Sequence, residues 1–81
     1  MAVYIKARKI EQTKEYVLYQ YGKNPDRLNG KLKILSESAD FEILQSDDDE
    51  INGFLASRIA VKIWRFYMDN GKFPEQISRQ S

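Results

Sequence analysis

The sequence predicts an α+β fold: a four-stranded antiparallel meander sheet followed by one C-terminal helix packed on one face, ββββα in two layers. Three observations carry that expectation. Apolar residues alternate with polar ones through the first half of the chain, the signature of half-buried strands. The links between those stretches are too short for the crossovers that parallel neighbours require. From about Ile51 the apolar spacing changes to the 3.6-residue period of a helix.

Taken in order, Val3, Ile5 and Ala7 alternate with Tyr4, Lys6 and Arg8. Thr13 to Tyr21 is rich in β-branched and aromatic residues but apolar on both parities: Val17, Tyr19 and Tyr21 oppose Tyr16 and Leu18, so the inward set stays open. Gly22-Lys23-Asn24-Pro25-Asp26 is a turn cluster. Leu28 to Leu35 resumes the alternation, with Leu32 and Ile34 against Lys31 and Lys33, and Phe41 and Ile43 flank Glu42. Ser46 and the aspartates after it offer a side-chain cap and favourable charge to a helix start. Gly53 sits awkwardly there, so the first turn could begin near Phe54. Asn70-Gly71 and Pro74 mark the stop. The expectation is a single small domain over 1–81, with strands within 2–45, a helix over about 51–69 and a tail over 71–81.

Composition narrows the chemistry. The 81 residues contain no Cys and no His. That excludes thiol nucleophiles, Cys-ligated zinc and every Ser/His or Cys/His hydrolytic centre. No phosphate-cradling glycine loop occurs, because the four glycines stand singly. The run Asp47-Asp48-Asp49-Glu50 places Asp48, Glu50, Asn52 and Gly53 at calcium-loop positions 1, 3, 5 and 6, but Ile59 falls where a bidentate Glu is required. The expectation is therefore no metal, no cofactor and no catalytic residue, with a small carboxylate-based enzyme as a second alternative. No stretch free of charged residues exceeds seven, and Lys6 interrupts the N-terminal apolar run. These features predict no membrane association and a cytoplasmic location.

The net charge of +1 conceals a segregation. Residues 1–33 hold 8 basic and 3 acidic side chains, residues 34–50 hold 7 acidic and none basic, and residues 51–81 hold 5 basic and 2 acidic. In a meander with strands in sequence order, one edge is then basic and the opposite edge acidic, which discourages edge-to-edge aggregation or steers a complementary partner.

The helix carries the main functional signal. With Ile51 at 0° and steps of 100°, Leu55, Ala56, Ile59, Ala60, Ile63, Phe66 and Tyr67 fall between about 40° and 180° and form the sheet-facing stripe. Arg58, Lys62, Arg65 and Asp69 make a solvated stripe. Phe54, Val61, Trp64 and Met68, between about 220° and 300°, form a second apolar strip that one sheet face has no room to bury. Either the tail covers it through Phe73, Pro74 and Ile77, or a curved sheet wraps it, or a partner does. The expected function is a non-catalytic protein–protein interaction or self-associating module. Its candidate contacts are Phe54, Val61, Trp64 and Met68 with Arg58 and Arg65 as polar rim, and its partner is another protein or a second copy. The alternative is a nucleic-acid-binding domain that uses an open sheet face bearing Tyr4, Lys6, Arg8, Tyr19, Lys31 and Lys33.

Overall fold

The computed structural model describes residues 4–38, 40–48 and 51–80. They form β1 (Tyr4–Gln12), β2 (Tyr16–Gly22), β3 (Gly30–Leu35), β4 (Phe41–Gln45), α1 (Phe54–Asn70) and β5 (Gln76–Gln80). The sheet is antiparallel with order β4-β3-β2-β1-β5. The fold is α+β with the expected four-stranded meander and one helix on one face. The tail adds a fifth strand that the sequence does not announce.

Alternation settles which residues point inward. Ile5 and Ala7 of β1, Val17, Tyr19 and Tyr21 of β2, and Leu32 and Ile34 of β3 are buried beneath the helix. Val3 lies outside the described residues. The open parity of β2 is thereby resolved: Tyr19 faces the core, while Tyr16 and Leu18 lie half-buried on the other face. The β1–β2 turn is held by Thr13, whose Oγ1 accepts the amides of Glu15 at 3.2 Å and Tyr16 at 3.1 Å. Gly30 faces Tyr21 across the β2–β3 ladder, and a Cβ there would collide with the Tyr21 ring. The missing side chain lets that aromatic ring lie flat over the neighbouring strand.

The helix begins at Phe54, the later start that Gly53 suggests, rather than at Ile51. Asn52 and Gly53 both adopt positive φ, 51° and 79°, and Gly53 at the N-cap position supplies no side-chain cap. Asp47 and Asp48 are committed elsewhere. Asp47 Oδ1 accepts the Asn29 amide at 3.1 Å, and Asp48 Oδ2 accepts Asn29 Nδ2 at 2.7 Å. These two residues of the acidic run therefore tie the helix approach to the start of β3, where a backbone donor needs an acceptor. Asp49 and Glu50 lie outside the described residues. The helix end is as the sequence predicts: Gly71, at φ 74°, donates its amide to the Tyr67 carbonyl at 2.7 Å.

α1 buries Leu55, Ala56, Ile59, Ala60 and Ile63 against the sheet. The chain then turns under the core instead of running back along the helix flank. Phe73 and Pro74 are buried, and the Tyr19 hydroxyl donates to the Pro74 carbonyl at 2.6 Å. Lys9 fixes the next residue twice, with its amide on the Glu75 carbonyl at 2.8 Å and its Nζ on Glu75 Oε1 at 2.8 Å. From this latch β5 pairs with β1, Ile77 opposite Ala7 and Arg79 opposite Ile5. No helix among the described residues is long and apolar enough to cross a membrane.

Candidate functional site

The helix lies mainly over β5, β1, β2 and β3, which leaves its β4-facing flank open. Phe41 of β4 pairs with inward-facing Ile34 and so shares its face. Between that edge strand and the helix runs a groove of about 250 Å³ lined by Phe41, Ala60, Val61, Trp64 and Arg65. Three of the four apolar residues singled out in the sequence are exposed: Phe54 by 42%, Val61 by 46% and Met68 by 66%.

Trp64 is half-buried and belongs partly to the core. Its ring centroid lies 5.2 Å from that of Tyr67 and 6.3 Å from that of Phe73, while Tyr67 and Phe73 stack at 4.3 Å. The tail thus shields one side of the indole through Phe73, while Ile77 departs into β5. Phe54, Val61 and Met68 keep their exposure. Of the expected polar rim, Arg65 lines the groove, and Arg58 sits over the Phe54 ring at 5.0 Å. The sequence reading missed Phe41, whose alternation with Glu42 marked a strand but not a position at the sheet margin.

The sheet face away from the helix carries Tyr4, Lys6, Arg8, Lys31 and Lys33. Tyr19 must be removed from that set: it is fully buried on the helix side, and burial, with the nearby Glu75 charge second, pushes its phenol above the usual range. One row crosses all five strands as Gln76, Arg8, Gln20, Lys31 and Gln45. Lys33 is partly engaged, 3.9 Å from Glu42 and 5.4 Å from the centre of the Tyr16 ring. Tyr16 in turn donates to Glu11 Oε2 at 3.1 Å, and that hydrogen bond and the Glu11 charge raise its pKa. The ion pairs of the described residues involve neither Lys6, Arg8 nor Lys31.

Asp47 is buried, and with Asp48, Asn24, Arg27 and Asn29 it surrounds a small hollow of about 80 Å³ beside the β2–β3 turn. A Cβ on Gly22 would meet Asp47 Oδ1 at 2.6 Å, so the carboxylate approaches that backbone closely. Among the described residues no group of three or more acidic side chains is placed to hold a metal ion. In comparisons with known proteins, the chain matches no family model, no curated protein and no solved structure.

Proposed function

We propose that the protein is a non-catalytic interaction module that captures an extended segment of another protein along β4. The observation that carries this reading is the juxtaposition of an edge strand with an apolar groove. β4 ends the sheet order, so its outer backbone groups offer a hydrogen-bonding template. The groove lined by Phe41, Val61 and Trp64 lies where alternate side chains of an added strand would fall. Charge selects the partner's composition. Glu42 projects from β4 on the outer face, and Asp40 and Asp48 are exposed on either side of the strand. A segment alternating apolar with basic residues satisfies both faces.

The test uses two synthetic peptides, four Val-Lys repeats and four Val-Glu repeats, titrated into the labelled protein. The Val-Lys peptide is expected to bind saturably, to slow amide exchange along 41–45 and to change Trp64 fluorescence, while the Val-Glu peptide leaves all three unchanged. Val61→Asp, on an exposed helix position, should abolish binding with the melting temperature held. Trp64→Ala should weaken capture more than it lowers stability. Equal binding of both peptides, or a dimer joined through β4 in light scattering, overturns the proposal; the latter would make a second copy the occupant.

A second reading, nucleic-acid binding, is favoured by the Arg8–Gln20–Lys31 row and the adjacent Lys6. It predicts that mixed single-stranded oligonucleotides shift resonances of that row at low salt and lose affinity as salt rises. Shifts confined to the β4 groove, or none, exclude it.

A further inference from the structure

A second cleft, about 490 Å³, opens on the other side of the helix, between its last turns and β5. Lys62, Arg65, Phe66 and Asp69 follow one another at helical spacing along its helix wall, and Ile77 and Arg79 supply the strand wall. Three cations against one carboxylate give these side chains a balance of +2. None of the four charged groups belongs to an ion pair of the described residues.

Arg79 is the decisive member. It sits on β5 opposite inward-facing Ile5, so its stem runs beneath the helix margin. Its Nε is buried and has no hydrogen-bond acceptor. Buried donors in folded proteins are almost always satisfied, and those on charged groups are the costliest to leave alone. Arg79 lines the cleft while its Nε has no surface open to it, so the two Nη groups at the tip form the planar fork that would meet two oxygens of a phosphate or carboxylate. Lys62 and Arg65 add two further donors at the same opening, enough to balance a dianion. Phe66 and Ile77 give the cleft an apolar wall that a bare inorganic ion would leave unused.

We propose that this cleft binds a phosphate monoester with a small aromatic or aliphatic body. The phosphate sits on Arg79, Lys62 and Arg65, and the body packs on Phe66 and Ile77. The cleft shares Arg65 with the β4 groove, whereas Arg79 and Lys62 line the cleft and not the groove, so variants at these two separate this site from the function proposed above.

Phenyl phosphate is the probe, with inorganic phosphate and phenol as separate arms, followed by calorimetry and by resonances of the Arg79 Nε–H and the amides of 62–69 and 77–79. Phenyl phosphate is expected to saturate these signals and to bind at least five-fold more tightly than inorganic phosphate, with phenol silent. Arg79→Gln should lower the affinity at least ten-fold. Lys62→Gln and Arg65→Gln, on an exposed helix face where the fold is insensitive, should each lower it three-fold or more. Inorganic phosphate binding as tightly as the ester refutes the apolar wall. Unchanged binding in the Arg79 and Lys62 variants, or shifts spread equally over Lys6, Arg8 and Lys31 on the opposite face, refutes the site.

Discussion

Removing a single oxygen from Tyr19 tests how the chain after the helix is anchored. Tyr19→Phe deletes the hydroxyl that donates to the Pro74 carbonyl at 2.6 Å and leaves a buried acceptor unpaired. An unsatisfied buried acceptor costs about 1–3 kcal/mol. For a chain of 81 residues, whose total stability is expected at about 4–12 kcal/mol, that is a large share. At roughly 4–8 °C per kcal/mol for a domain this small, a loss near 1.5 kcal/mol lowers Tm by about 6–12 °C.

The same substitution carries a signature in pH. The phenol of folded Tyr19 titrates above its ordinary value of 10.0 because burial, and secondarily Glu75, disfavour the phenolate. The native state therefore holds this proton where the unfolded chain gives it up. The contribution is fully present below pH 10 and is lost as pH rises beyond it, with a slope no steeper than about 1.4 kcal/mol per pH unit. Urea titrations of both proteins, followed by Trp64 fluorescence at pH values from 8 to 11, isolate Tyr19 in the difference between the two stability curves. That difference should be flat to pH 9.5 and shrink above pH 10. A variant within 0.3 kcal/mol of the parent at pH 8, or a difference that stays constant to pH 11, would refute the latch.

Three further outcomes follow from the geometry. Gly30→Ala drives a methyl group into the Tyr21 ring and should cost about 1–3 kcal/mol by overpacking, read as a lower urea midpoint with an unchanged m-value. Gly71→Ala meets no neighbouring atom within 4 Å, so its cost is the left-handed backbone alone, about 1–2 kcal/mol; Gly71→Asn should recover part of it in thermal melts. Asp47→Ala frees the Asn29 amide from its acceptor and should raise hydrogen exchange at Asn29 at least ten-fold, with the sheet centre unaffected.

What could be read from the residues depended on how many apolar side chains each element commits to the core. β1, β3 and the helix stripe alternate plainly because one face of each is covered. β2 looked ambiguous because Tyr16 and Leu18 stay half-buried on the uncovered face beside Leu35 and Lys33. β5 was illegible: in Gln76-Ile77-Ser78-Arg79-Gln80 one apolar residue stands alone, and the segment is a strand because β1 offers it an edge and Tyr19 and Lys9 fix its entrance. Tertiary pairing overrode a weak local preference there. Asp47 and Asp48 take a tertiary role for a related reason: the distant Asn29 amide and side chain, invisible from local sequence, donate to their carboxylates. The flank residues of α1 were found by helical spacing alone. Phe41 and Arg79 were not, since each gains its place from where its strand sits in the sheet.

The adjacency of β1 and β5 sets a schedule for synthesis. β1 receives its outer neighbour, β5, only about 60 residues after it leaves the ribosome, a gap of about 3–12 s at ordinary translation speeds. Throughout that interval its rim is a naked template for rogue pairing with other nascent chains. Lys6, Arg8 and Lys9 along that rim supply mutual repulsion between copies, so the basic N-terminal stretch protects an unfinished molecule as much as it decorates the finished one.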